Sequence, residues 1–390
     1  MKKTLFLLLA AITFMACNQK EATIFTLNGS VEGYNTSALY LFEVQNQHYD
    51  FIKLVDTIPV TNDKISYSND SLETQLYFLS TQADLYNPET HEQGAYVFIR
   101  KGDNDLKVIK NDQKKMQVEV KNFPLQAQFI EFTKEKENIG NRKVLDSLDQ
   151  LFYAARDAEN KEEMMRIKEE SIPYYDEQAK QSNEWLNKKI EENKTSLFGL
   201  YLYYTYNFQN SSFSTLEETA KVRERLKGFD EEAKQSVYFK KIEEKLTLME
   251  NCAVGSKAPE IVGLDSLDNE VKLSDFRGKY VLVDFWSSSC SWCRKETPNF
   301  QKTYDAFKDK NFVILGVSSD FEKGAWLEAI HEDKSYWNHI MMRKNEIRDI
   351  MNRYVIVGIP EILLIDPQGV ILAKGLRGEA IYNTVAEHVK

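Results

Sequence analysis

The stretch from Val281 to Pro298 reads VLVDFWSSSCSWCRKETP. Apolar and aromatic side chains surround one acid, Asp284, and three serines follow. Cys290 and Cys293 then stand with two residues between them. The run Val281-Leu282-Val283 with Phe285-Trp286 suits a strand covered on both faces. The cysteines fall where that strand turns into a helix, expected over 291–308. Cys290 then sits at or just before the helix N-terminus, where unpaired backbone N–H groups and the helix dipole favour negative charge. The thiolate is the nucleophile; at a free pKa of about 8.5 only about 3% is ionised at pH 7, and lowering the pKa to about 7 makes it half. Cys293, one helical turn in, is more shielded. It is close enough to form a disulfide with Cys290 and release a bound substrate.

Two further features bear on this pair. A carboxylate inside an apolar strand is costly unless paired or useful. Burial of Asp284 raises its pKa and favours the neutral acid, which suits proton exchange with a thiol. Gly358-Ile359-Pro360-Glu361 places a proline just before an expected strand. Proline there marks a strand start, and a cis bond would bring the Ile359 backbone next to the cysteines. Pro298 is expected to kink the helix that carries them.

The chain has 390 residues, enough for two or three domains, and a formal net charge of −10. No basic stretch stands out, which argues against nucleic acid as a partner. The start, MKKTLFLLLAAITFMAC, has two lysines and an apolar run of roughly a dozen residues, right for a signal peptide and short for a membrane span. Phe14-Met15-Ala16-Cys17 resembles a bacterial lipobox, with Phe14 where Leu is usual. The resemblance implies a signal over 1–17, lipid on Cys17, and a soluble part facing the periplasm of a bacterial envelope. An ordinary signal peptide with Cys17 incidental is the alternative. Outside the cytoplasm a thiol pair is prone to oxidation. With four cysteines in all, a structural disulfide framework is not the reading for 290 and 293. Half of a zinc site would need two more ligands; Cys252 is alone and no second CxxC exists. No metal and no cofactor are expected.

Residues 24–122 read as a small antiparallel β-rich domain. Aromatic-rich runs begin at Thr23, Ala38, Leu76 and Ala95, and Asn28-Gly29-Ser30 and Lys101-Gly102-Asp103-Asn104 stand as separators. His48 and His91 read as isolated surface residues. Residues 124–250 read as helical, with mixed charge and apolar residues at helical spacing. Leu197 to Tyr204 is read as a buried helix rather than a binding groove. Over 253–390 strands and helices alternate: a hairpin around 266–269, strands at 280–286 and 312–318, helices at 322–333 and 345–354, a hairpin over 361–374, and a last helix at 379–388. This is a thioredoxin-like α/β order.

Val283-Asp284-Phe285-Trp286, Cys290-x-x-Cys293, Pro298 and Ile359-Pro360 together resemble thioredoxin. Gly255-x-x-Ala258-Pro259, Leu273-Ser274-Asp275-Phe276-Arg277-Gly278-Lys279 and Pro360-Glu361-Ile362-Leu363-Leu364-Ile365-Asp366 resemble the TlpA/ResA group of envelope thiol-disulfide oxidoreductases. The likeness covers about 254–390. It implies Cys290 as attacking thiol, Cys293 as resolving thiol, Asp284 as proton acceptor and Pro360 as cis-proline. Trp286, Trp292, Ile359 and Glu361 are the expected substrate contacts. The direction implied is reduction, with electrons from a membrane thiol carrier passing to oxidised exported proteins, an apocytochrome c among the candidates. Three departures stand out: Ser291-Trp292 between the cysteines, Ser289 in place of Trp, and Glu361 in place of Thr. A carboxylate at 361 would repel acidic partners or raise the thiol pKa; otherwise it faces solvent.

Other readings compete. A thiol peroxidase of the AhpC type shares the Gly255/Ala258-Pro259 feature but needs Pro-x3-Thr-x2-Cys, and Val283 and Ser287 occupy the first two positions. A thioredoxin-fold copper carrier uses three residues between its cysteines and a distant histidine such as His331, His339 or His388; the spacing here is two. A lipoprotein binding module with an accessory redox domain remains open. Cys252 reads as a buried free thiol.

Overall fold

The computed structural model describes residues 24–44, 52–85, 94–140 and 142–390. The lipobox with Cys17, and His48 and His91, lie outside the described residues. The chain divides into two compact units that meet in sequence between Glu137 and Asn138.

The first unit is a sheet of β1 (Phe25–Glu32), β2 (Ala38–Val44), β3 (Ile52–Thr61), β4 (Lys64–Asn69), β5 (Gln75–Ser80), β6 (Gly94–Ile99), β7 (Gly102–Lys110) and β8 (Met116–Val120). Their order is β6-β5-β2-β3-β4-β1-β7-β8. All pairs are antiparallel except β1 with β7, which is parallel and corrects the purely antiparallel expectation. Two presumed separators lie inside strands. Asn28-Gly29-Ser30 runs through β1, and Gly102-Asp103-Asn104 opens β7. Gly29 is there for space: a Cβ would stand 1.8 Å from the Leu106 carbonyl oxygen of β7. Helix α1 (Pro124–Glu137) belongs to this unit. Its buried Gln126 accepts from the Phe98 N–H at 2.9 Å and donates to the Tyr96 and Val118 carbonyls at 3.0 and 3.3 Å. One side chain thereby satisfies β6 and β8 groups that the helix would otherwise bury unpaired.

The second unit opens with α2 (Arg142–Asp157), α3 (Lys161–Glu192), α4 (Leu197–Leu202), a π-helical turn Tyr203–Phe208, α5 (Leu216–Lys227), α6 (Glu231–Lys234) and α7 (Val237–Asn251). Every residue of α4 is buried, so the aromatic stretch is a core helix and not a groove. Ser236 starts α7 by accepting from the Phe239 N–H, and Cys252 ends it, fully buried.

A seven-stranded sheet follows. Its members are β9 (Val262–Leu264), β10 (Glu270–Lys272), β11 (Tyr280–Trp286), β12 (Phe312–Ser318), β13 (Asn338–Met341), β14 (Glu361–Ile365) and β15 (Ile371–Lys374), in the order β10-β9-β13-β12-β11-β14-β15. Helices α8 (Ser291–Arg294), α9 (Thr297–Phe307), α10 (Lys323–Glu332), α11 (Ile347–Arg353) and α12 (Glu379–His388) complete the thioredoxin-like domain. Strands β11, β12 and β13 run parallel, β14 is antiparallel to β11, and β15 is antiparallel to β14. Strand β13 is too short and too polar for the sequence to have marked it. The Gly255 and Ala258 N–H groups donate to the Ile371 and Gly369 carbonyls at 2.8 and 2.9 Å, which lays the segment leaving α7 along β15.

The helix expected over 291–308 is two helices. Pro298 has no N–H to offer the Arg294 carbonyl, so the chain stops at one turn and restarts with Pro298 in the first turn of α9.

Candidate active site

Strand β11 is buried from Val281 to Trp286, as its composition requires. Three serines then turn the chain, and an acid that sequence reading missed holds the middle one, Ser288. Buried Asp320 accepts from the Ser288 N–H at 2.9 Å, the Ser288 hydroxyl at 2.7 Å and the Ser318 hydroxyl at 2.6 Å. The run of serine donors was the available signal that an acceptor must lie nearby.

Cys290 caps α8, with its Sγ accepting from the Cys293 N–H at 3.1 Å. The two sulfurs are bonded at 2.09 Å with Cα atoms 5.3 Å apart, so the structure holds the oxidised state. Since α8 is a single turn, the dipole expected of a long helix is absent, and the Cys293 N–H is the direct electrostatic support for negative charge on Cys290. Cys290 is half-buried and Cys293 is buried. The Ile359–Pro360 bond is cis, and the Ile359 carbonyl oxygen lies 3.8 Å from Cys290 Sγ.

Asp284 is 7% exposed, and its Oδ1 has no hydrogen-bond partner among the described residues. Burial pushes its carboxyl up to about 8; the charge of Arg377 opposes this and that of Glu296 adds to it. Glu296, at the break between α8 and α9, accepts from the Asn299 side-chain amide and the Gly378 N–H at 2.8 and 2.9 Å. Nothing local in the sequence marked Glu296 or Arg377, because they meet Asp284 only through the fold.

The expected substrate contacts divide. Trp292 stands 69% exposed beside the disulfide, with Lys295 Nζ 4.0 Å from its ring centroid. Ile359 packs, partly buried, against the cluster formed by Trp286, Cys293, Trp326 and Ala329. Trp286 is corrected: it is 5% exposed, so it supports the disulfide from beneath and offers no contact surface. Its indole meets His339 edge-on at 5.7 Å between ring centroids. His339 is held by a 2.8 Å hydrogen bond to the Ser335 carbonyl, and burial lowers its pKa to about 4, so it is neutral at pH 7. Glu361 is half-buried and pairs with Phe285 in the β11–β14 ladder, on the face opposite Asp284 and Trp286. There burial raises its pKa against the charges of Lys374 and Arg377. Lys374 in turn donates to the free Cys252 Sγ at 3.3 Å. Among the described residues, no group of three or more His, Cys, Asp or Glu side chains is placed to hold a metal.

Residues 254–374 match the AhpC/TSA family. The chain is 27% identical over 144 residues to thiol-disulfide oxidoreductase ResA of Bacillus thuringiensis subsp. konkukian (strain 97-27), covering 37% of this chain and 81% of that protein. It is 31% identical over 124 residues to ResA of Bacillus subtilis (strain 168), covering 32% of this chain and 67% of the relative. The chain belongs to the ResA-like thiol-disulfide oxidoreductases. Among solved structures it is similar to the thioredoxin domain of a thiol-disulfide oxidoreductase from Bacteroides vulgatus, at 56% identity over 35% of this chain and 99% of that one, with a TM-score of 0.35. As a ResA-like protein the chain is a redox enzyme acting on disulfides, and its family match spans the cysteines, Asp284 and Pro360.

Proposed function

We propose that Cys290 and Cys293 are the exchanging pair and that the protein reduces disulfides of exported clients. The observation that carries this is the Cys290–Cys293 disulfide at the end of β11, with the Ile359 carbonyl beside Cys290 and the buried Asp284 on the strand that leads to them. In the reduced protein the Cys290 thiolate attacks a client disulfide, and one client sulfur leaves as a thiolate. Asp284, as carboxylate, takes the proton of Cys293. The Cys293 thiolate then attacks Cys290 Sγ and expels the second client sulfur. The client gains two electrons and the protein is left as the disulfide. Recharging runs in reverse: a donor dithiol attacks Cys290, and Asp284, now the neutral acid, returns a proton to the leaving Cys293. The reducing direction is supported by the likeness to ResA.

The same proposal places the protein on the bacterial envelope, tethered by lipid on Cys17, with a membrane thiol carrier as donor and exported proteins, including those of cytochrome c-type biogenesis, as clients. Its support is the MKK start, the apolar run and Cys17. Equilibration of the soluble part in graded dithiothreitol buffers, followed by alkylation and mass spectrometry, tests the direction. A potential near or below about −250 mV supports a reductant; one near about −120 to −180 mV overturns it in favour of an oxidant or isomerase.

A further inference from the structure

We propose that Arg377 is a positioning residue of the exchange site, gripping the cis-proline segment with its guanidinium while its positive charge acts on Asp284. The inference rests on the reading of Asp284 as the proton group. Arg377 lies in the turn between β15 and α12, far in sequence from the cysteines. Its Nη2 donates to the Pro360 carbonyl, and its Nη1 donates to the Leu376 carbonyl at 2.7 Å. The turn itself is fixed. Leu376 is buried in the core between the sheet and α12, and its N–H donates to the Ile362 carbonyl at 3.2 Å. Gly378, which follows Arg377, donates its N–H to Glu296 at 2.9 Å. Two adjacent residues thus tie the two halves of the site together: Arg377 holds the proline segment and Gly378 holds the end of the cysteine helix.

The charges around Asp284 come from these same elements. The turn supplies Arg377, and the α8–α9 break supplies Glu296, with opposite effects on Asp284. The neighbouring strands contribute Ile362 from β14 and Gly316 from β12, neither of them charged. Lys374 and Glu361 lie on the other face of the sheet. Arg377 touches the Pro360 carbonyl and not the sulfurs, so its effect passes through the loop and through Asp284. The grip on the Pro360 carbonyl thereby sets the position of the Ile359 backbone beside Cys290, where a client strand would seat.

The test uses the full chain and a synthetic peptide with one internal disulfide, with exchange rates followed from pH 6 to 9. Arg377→Met should move the midpoint of the rate profile upward by about half a pH unit or more, since a neutral side chain no longer favours the Asp284 carboxylate. It should also raise KM severalfold. Arg377→Lys keeps the charge and loses the fork, so it should hold the midpoint and still raise KM. In the Asp284→Asn background neither variant should shift the profile. A profile for Arg377→Met superimposable on the parent overturns the electrostatic role, and an unchanged KM in both variants overturns the grip. Arg377→Gln replaces the Met variant if the latter does not fold. A parent profile left unchanged by Asp284→Asn alone is a different failure, that of the proton reading.

Discussion

Asp284 and Glu361 lie on opposite faces of one two-strand ladder. Asp284 is paired with Ile362, and Glu361 with Phe285, one step along. Partners in a ladder share a face and neighbours alternate, so the two carboxyls flank the cis-proline from either side of the sheet. Asp284 shares its face with Trp286 and thus with Cys293. Glu361 shares its face with Lys374, under which Cys252 is buried. The front carboxyl lies on the face where Trp286 packs with Cys293. The back one joins a polar cluster where α7 meets the sheet.

Asp284→Asn should slow exchange and flatten its rise between pH 6 and 9, because a carboxyl raised to about 8 must ionise to accept the Cys293 proton. It should also stabilise the fold. The native state holds this proton more tightly than the unfolded chain, so the group's contribution is full below pH 4 and is lost as pH rises through 8. At about 1.4 kcal/mol per pH unit, the variant should gain up to roughly 5 kcal/mol over the parent at pH 8 and about nothing at pH 4. Urea unfolding at the two pH values checks this; an equal gain at both would sink the assignment.

Cys293→Ser should leave Cys290 able to attack and unable to be resolved. Client proteins should accumulate as mixed disulfides, visible as dithiothreitol-sensitive adducts on non-reducing gels. Cys290→Ser should give none. Adducts in the second variant and not the first would exchange the two roles.

His339 is held neutral by burial, with a pKa lowered to about 4. Between pH 6.5 and 4 the unfolded chain takes up a proton that the native state refuses, so stability falls as pH falls. His339→Gln should remove about 3 kcal/mol of that acid-side loss relative to the parent. Unfolding midpoints at pH 7 and pH 4.5, compared between the two proteins, read it directly. A parallel decline in both would place the acid sensitivity elsewhere.

Gly316 opposes His339 in the β12–β13 ladder. A Cβ there would stand 2.3 Å from His339 Nδ1 and 3.2 Å from Trp286 Nε1. Gly316→Ala should therefore cost about 1–3 kcal/mol and displace Trp286 from beneath Cys293. Thermal unfolding and tryptophan fluorescence should both change, and an unaltered emission spectrum would show that the pair accommodates the methyl.

The sequence by itself determined the redox end of this protein. Hydrophobic runs and glycine-proline punctuation are local signals, so β11, β12, the closing hairpin and α12 were legible residue by residue. So were the cysteine pair, the lone acid in an apolar strand and the proline before β14, because each is an unusual residue in its own immediate context. Tertiary structure alone decided the rest. Strand register sent Glu361 to the back face, and burial withdrew Trp286 from the surface. The missing N–H of Pro298 cut the expected helix in two, although the helix pattern ran through it. Pairing of β1 with β7, more than seventy residues apart, made strands of two segments whose composition reads as turns. Arg377 and Asp320 reach the site from distant segments, and Glu296, three residues past Cys293, meets Asp284 only through the fold; a charge or hydrogen bond acting across space leaves no trace in local composition.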